Sequence, residues 1–457
     1  MTKIGIHVFR KDLRICDNLA LNQLANHVDE IIGVFIFDQL QIKRNNTNAN
    51  HYSDKSAQFL IDCVEDLKQQ CNSKLIITYG NTMKVLESII KEINPDAISF
   101  NDDFTPFALE RDNHMARLCD KYKITVFRNQ EDQFHKNPDL LVKSNGSPYM
   151  VFGPFKKLLL SSPVSSPTSK RIKWITSRKI DIVSLKDKGW NPIQTIFKGG
   201  RTEAIKKMKM NITTSETDHL MNESSQLSAY LNYGCLSIRE LHHHVLKTFG
   251  SKCKMLESLA WRDFYLCIFR FRDHGNEYRH IDERYDKLKF PKVNQIEWKR
   301  FVKCDTGFLL IDAIMTELLQ TGYINNRARL LLATFWIKYL LINPFNPEYG
   351  SQTGFSRLLI DCAACQNKLN HQWVIGDLDY AGRRFCMKGT NSLSGRMIRI
   401  DNDMIKRYDP NYEYIAKWIP RFANLDLKER KKITKNIKTM YDWKERYLQY
   451  ANLFEMK

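Results

Sequence analysis

The chain has 457 residues, enough for two or three domains around a large core. Its net charge of +19 is lopsided: residues 1–150 carry 18 Lys+Arg against 20 Asp+Glu, and the remainder 52 against 31. A lysine-rich bias in composition would act on both parts. The basic part therefore points to a polyanionic partner such as nucleic acid. Eleven scattered cysteines, no run apolar enough to span a bilayer and no apolar leader exclude a disulfide scaffold and a membrane protein, and imply an intracellular protein, cytoplasmic or nuclear.

In chain order, IGIHVF (4–9), IIGVFIF (31–37), KLIITY (74–79), DAISF (96–100) and ITVF (124–127) read as buried strands. Helical periodicity fills 53–70 and 82–93, the second capped by Asn81. This alternation predicts a doubly wound parallel sheet with helices on both faces. No G-x-G-x-x-G follows the first strand, so a dinucleotide site of that kind is not expected. SSPVSSPTS (161–169) reads as a linker or exposed loop. Beyond about 200, helical patterns dominate. The expected division is an α/β domain over 1–135, a connector over 136–200 and a larger all-α domain over 201–457.

One helical segment is chemically odd. TGYINNRARLLLATFWIKYLL buries leucines and aromatics, yet opens with Asn325, Asn326, Arg327 and Arg329. Asn326, Arg329 and Leu330 share a helix face. A buried arginine needs an acceptor, and Asp361 in LLIDCAACQNKLNHQW is a candidate, with Asn367 and Trp373 following. On the residues alone, a salt bridge that merely stitches two helices is the favoured explanation. Cys362-x-x-Cys365 with His371 lacks a second pair at metal-site spacing, so no metal is expected. The consecutive His242, His243 and His244 read as a helix surface.

The order of motifs resembles the DNA photolyase/cryptochrome family from end to end. VFRKDLRICDNLAL, VFIFD, NDDFTPFALERD, SPYMVFGPFKK, SSQLSAYLNYGCLSIRE, LAWRDFY, TGFLLIDAIM, TGYINNRAR, IDCAACQN and YDPNYEYIAKWIP occur in family order. The resemblance implies a Rossmann-like antenna-type domain and a helical domain holding FAD. It implies that Ser224, Ser225, Gln226, Leu227 and Ser228 hold the diphosphate, with Arg262, Arg329, Asp361, Ala363 and Asn367 also at the flavin. Capping of the following helix is a second reading of the serines. Asn367 would face flavin N5, where an amide bonds but is a poor proton source. Trp261 and Trp373 would line the lesion cavity, since indole faces suit a flipped-out pyrimidine pair; these two and Asn367 are the expected catalytic residues. Ser258, Asn326, Arg327, Leu330 and Arg399 would complete the DNA contact, Arg399 from the basic segment 376–399.

Several positions depart from the family pattern. Gln226 replaces an arginine, Ala363 the second acid of an Asp-x-Asp motif, and Ser258 a frequent glutamate. No tyrosine shortly precedes Ser224. The usual three tryptophans for photoreduction are not preserved: His371 replaces the member nearest the flavin, Pro344-Phe345 falls at the middle one, and Phe301 near the outer one, with Trp298 three residues before. An imidazole is hard to oxidise, so His371 is expected to be a poor replacement. Electron supply is expected to skip to a more distant ring such as Trp298, to use Trp373 or a nearby tyrosine, or to come from a soluble reductant. Asn326 and Leu330 stand where six-four photolyases carry proton-donating histidines. The resemblance is closest to a class I-type cyclobutane pyrimidine dimer photolyase, a carbon–carbon lyase acting on damaged DNA as a monomer. A cryptochrome-type photoreceptor and a six-four photolyase are the alternatives, the first opposed by the lack of a long tail after YDPNYEYIAKWIP. A second, antenna chromophore, folate or deazaflavin, is expected without a diagnostic motif.

Overall fold

The computed structural model describes residues 2–39, 53–161, 163–177, 192–210, 212, 219–221, 224–272, 279–281, 283–375 and 400–453. Packing divides it into two compact units. The first comprises residues 1–214, 225–276 and 360–363, the second 215–224, 277–359 and 364–457. The expected boundaries at 135 and 200 follow composition, and the packing divides the chain elsewhere.

The first unit opens with β1 (Ile4–Phe9), α1 (Leu19–Leu24), β2 (Glu30–Asp38), α2 (Asp54–Gln70), β3 (Ile76–Gly80), α3 (Thr82–Ile93), β4 (Ala97–Asn101), α4 (Pro106–Lys121) and β5 (Thr125–Asn129). The strands form one parallel sheet in the order β3-β2-β1-β4-β5. β-branched residues make these strands because they pack well on a pleated surface. Ile6, Val8, Ile32, Val34, Ile76 and Ile98 form a core completed by Leu86, Ile90 and Met115 of the flanking helices. Burial of each such side chain contributes about 1.5–3 kcal/mol. Asn81 caps α3 as expected, its side chain accepting from the Lys84 amide.

Beyond the sheet come α5 (Phe152–Leu159), α6 (Arg201–Met210), α7 (Ser228–Asn232), α8 (Ile238–Phe249) and α9 (Lys254–Phe271). The described residues of the Ser/Pro segment have no regular structure, but Thr168 is held in place: the Asp17 amide donates to the Thr168 carbonyl (2.7 Å), and the Thr168 amide to Asp17 Oδ1 (3.1 Å). A buried charge network ties α8 to the sheet-end loops. Arg239 Nε reaches Asp17 Oδ2 (2.9 Å), its NH1 the Phe134 carbonyl (2.9 Å), and Arg14 pairs with Asp132 (2.8 Å).

The second unit is helical: α10 (Gln295–Val302), α11 (Leu309–Thr321), α12 (Asn326–Thr334), α13 (Ser351–Leu358), α14 (Ala364–Ile375), α15 (Ile405–Tyr408), α16 (Glu413–Trp418), α17 (Leu427–Lys435) and α18 (Trp443–Asn452). α12 continues into a π-helical turn over Phe335–Tyr339, a feature frequent at functional sites. Trp336 in that turn lies flush on α13, where a Cβ on Gly354 would sit 2.3 Å from the indole. Only glycine admits that approach. Among the described residues no helix is long and apolar enough to cross a membrane.

Candidate flavin and DNA site

Each unit carries its own part of the expected site. In the first, the loop entering α7 turns through Gln226, whose φ of 53° is left-handed and unusual for a residue with a Cβ. The side chain is anchored there: Lys207 Nζ of α6 donates to Gln226 Oε1 (2.7 Å). The arginine missing from the motif thus has a cation beside its replacement, delivered by a helix about 20 residues upstream. Burial pulls the Lys207 pKa below its ordinary value. Ser228 Oγ donates to Asp361 Oδ2 (2.5 Å), and Asn232 to the Cys362 carbonyl (3.2 Å). The 360–363 turn is therefore stitched to α7, with Asp361 buried and Ala363 half-buried.

The same unit positions Trp261. Ser258, Trp261, Arg262 and Tyr265 recur along one face of α9 at helical spacing. Phe152 of α5 stacks on the indole with ring centroids 3.7 Å apart and planes 9° from parallel. Phe264 meets its edge at 5.5 Å. Trp261 is half-buried, with a phenyl ring stacked on its indole. Ser258 is exposed, its hydroxyl donating to the Lys254 carbonyl. Arg262 directs NH1 to the Gln133 carbonyl and lies 3.6 Å from Asp263.

In the second unit, the polar start of α12 has two roles. Asn325 is an N-cap, accepting from the Ala328 amide (2.8 Å) and donating to the Leu220 carbonyl (3.2 Å). Arg329 donates through Nε to the Ile324 carbonyl (3.0 Å) with its guanidinium 5.4 Å above the Tyr323 ring. The hydroxyl of Tyr323 meets Ser224 Oγ at 2.8 Å. The phenol beside Ser224 thus comes from 99 residues downstream. Asn326 is exposed, Arg327 half-buried and Leu330 buried. Ser225 is half-exposed and Leu227 buried in the first unit.

On α14, Asn367 and His371 are buried and Trp373 is half-buried. His371 Nδ1 is 3.0 Å from Gln352 Oε1 of α13, while His371 Nε2 and Gln352 Nε2 are buried without a hydrogen-bond partner among the described residues. Beyond His371 runs a line of rings: Phe355 at 5.2 Å, Trp336 at 5.9 Å from Phe355, Trp298 at 5.5 Å from Trp336, and Tyr349 at 5.2 Å from Trp298. Trp336 is absent from the sequence-based site because it reads there as one more apolar helix residue. Arg399 and the basic segment 376–399 lie outside the described residues. Among the described residues no three His, Cys, Asp or Glu side chains cluster as a metal set.

Burial lowers the His371 pKa to about 3. The imidazole is thus neutral in the fold but takes up a proton in the unfolded chain below about 6.5. Its contribution to stability is complete above that pH and is lost as pH falls toward 3. His242 acts in the same direction, its pKa lowered to about 4 by burial and by His135 and His243. Urea unfolding followed from neutral pH to about pH 4 should show this acid limb, and His371→Phe should flatten it. An unchanged slope in that variant would place the acid sensitivity elsewhere.

Each unit offers groups of the kind a flavin nucleotide needs: hydroxyls, an ammonium and a carboxylate in the first, hydroxyls, a guanidinium and an amide in the second. The comparisons agree. Residues 255–451 match the model of the FAD binding domain of DNA photolyase, and residues 5–170 that of DNA photolyase. A deoxyribodipyrimidine photo-lyase of Alkalihalophilus pseudofirmus is 28% identical over 91% of this chain and 87% of that protein. Cryptochrome-1 of Spalax judaei is 26% identical over 91% of this chain and 73% of that protein. An archaeal photolyase from Sulfolobus tokodaii, solved with two FAD molecules, has the same fold (TM-score 0.83, 24% identity, 99% of each chain covered). A bacterial class III photolyase from Agrobacterium tumefaciens shares it too (TM-score 0.82, 21% identity, 100% and 98% covered). With a parallel α/β domain, a helical remainder and the family's FAD-binding domain matched in sequence, the chain belongs to the DNA photolyase/cryptochrome family and is an FAD protein.

Proposed function

We propose that the protein repairs cyclobutane pyrimidine dimers in DNA with blue light. The observation that carries this reading is Trp261, which is only partly buried, has Phe152 stacked against one face of its indole, and shares a helix face with Ser258 and Tyr265. A pre-ordered stacking surface costs little entropy when a flipped-out base arrives. When bound and reduced, FAD supplies a light-driven electron that opens the cyclobutane ring and is then recovered. The chain's own groups hold and orient. Ser224, Ser225, Gln226, Leu227, Ser228 and Lys207 serve the diphosphate, and Tyr323 fixes the Ser224 hydroxyl. Arg329, Asp361 and Asn367 serve the ring system, Asn367 as a hydrogen-bonding amide that delivers no proton. Arg262 and Ala363 complete that set. Trp261, Trp373, Ser258, Asn326, Arg327, Leu330 and Arg399 meet the lesion strand. Neither Asn326 nor Leu330 can act as a general acid, which favours the cyclobutane dimer over the six-four lesion.

A cryptochrome-type photoreceptor is the second reading, favoured by the 26% identity to cryptochrome-1 and by the altered tryptophan positions. Separate oligonucleotides carrying one cyclobutane or one six-four lesion, incubated with and without blue light, distinguish the readings. Light-dependent loss of the cyclobutane dimer alone is expected. No repair of either lesion by protein holding reduced FAD would turn the reading toward the photoreceptor. Trp261→Ala and Trp373→Ala should each keep FAD but weaken binding to the dimer-containing strand by about 1–3 kcal/mol, the loss of one base stack.

A further inference from the structure

The strongest unassigned feature is a single-sign face on α17. Lys428, Lys431, Lys432 and Lys435 stand at i, i+3, i+4 and i+7, all exposed. Within the face the i,i+3 pairs 428/431 and 432/435 and the i,i+4 pairs 428/432 and 431/435 are all lysine on lysine, each of which weakens an isolated helix; the carboxylate at such spacing, Glu429 three residues before Lys432, is held in the capping box. The nearby carboxylates are committed elsewhere. Asp426 and Glu429, the carboxylates of the cap and first turn, form the capping box of α17 itself. Among the described residues none of the four ammonium groups has a carboxylate in salt-bridge reach. The basic face continues past the helix to Lys438. There the chain runs against the turn carrying Lys303, with the Met440 amide donating to the Thr306 carbonyl (2.9 Å).

The helix is also held rigidly for something so repulsive. Arg430 points inward and donates to the Phe422, Ala423 and Tyr412 carbonyls at 3.1–3.3 Å. Two of the lysines gain from the helix C-terminus; Lys428 and Lys431 do not. From Lys428 to Lys435 the helix rises about 10 Å. That is the axial length of about three nucleotides of one DNA strand.

We propose that this face is a sequence-independent contact for the phosphate backbone of duplex DNA, additional to the residues that meet the lesion. It rests on the repair reading only for the choice of DNA as the polyanion. The test uses the full-length FAD-containing protein with Lys428, Lys431, Lys432 and Lys435 changed together to Gln, a substitution that preserves helix propensity. Binding to a short undamaged duplex is measured from about 50 to 200 mM salt, where each phosphate contact contributes about 0.9 to the slope of log K on log salt. The expected result is a slope shallower by about 2–4 and binding about tenfold weaker at low salt, both restored by the fourfold Lys→Arg variant. Lys84, Lys123, Lys247 and Lys252, exposed in the first unit, changed to Gln remove the same charge and should change the slope little. An unaltered slope, an equal loss in that control, or loss of binding to phosphatidylserine vesicles with DNA binding intact would each overturn the proposal. Preference of the wild type for a dimer-containing strand is read on the same samples. Its absence would sink the repair reading and leave the salt slope to judge the lysine face alone.

Discussion

Trp336→Phe is expected to slow the light-driven bleaching of oxidised FAD by at least about tenfold while leaving FAD content unchanged. The reasoning starts from His371, which stands where the family's first tryptophan is expected. A neutral imidazole is much harder to oxidise than an indole, and the Phe355 ring behind it is no better. The first oxidisable ring on that line is Trp336, fully buried, with Trp298 next at 5.5 Å and half-exposed. Trp336 donates Nε1–H to the Tyr349 carbonyl (2.7 Å), which accepts a hydrogen bond but does not take a proton. Oxidised Trp336 therefore keeps its charge and passes the deficit outward to Trp298, where a soluble thiol can reach it. Illumination of oxidised protein with thiol, followed by flavin absorbance and by tryptophan-radical absorbance, reads both ends. Trp298→Phe should slow bleaching similarly, and His371→Phe should change little. Wild-type speed in Trp336→Phe combined with loss in Trp373→Phe would reroute the path through α14 and sink the ring line.

Arg239→Met should cost about 3–5 kcal/mol of stability, because it leaves Asp17 as a buried charge without its guanidinium. Asp17 also accepts from Ser237 and binds the Ser/Pro segment through the Thr168 amide. The loss should therefore be read in urea midpoint and in proteolysis near residue 168 together. The double variant Asp17→Asn, Arg239→Met should recover part of it, since no bare charge is then buried. A cost below about 1 kcal/mol for the single variant would mean that water reaches the network.

The strands were legible to within one or two residues because β-branched runs bounded by turns leave little choice of conformation. The family-ordered motifs likewise pointed to the FAD domain. What the sequence hid was long-range compensation. Gln226 looks like a lost cation until α6 brings Lys207 to it, and Lys207 sits in an ordinary lysine-rich helix. Ser224 looks deprived of its tyrosine until Tyr323 arrives from another helix end. Trp336 carries no local mark at all: only the bare backbone at Gly354 and the wider π turn make its place special. Phe152 lies within the motif SPYMVFGPFKK, but nothing in spacing says that it stacks on Trp261.

The threading of the chain has a consequence for synthesis. The first unit includes the 360–363 turn, whose Asp361 accepts from Ser228. Roughly four-fifths of the polypeptide must leave the ribosome before that bond can form. Until then α7 waits without its partner, and a chaperone or a translational pause has an open interval in which to act. For the same reason no single cut yields the first unit whole: a fragment ending at residue 276 keeps the sheet but lacks the piece that closes α7.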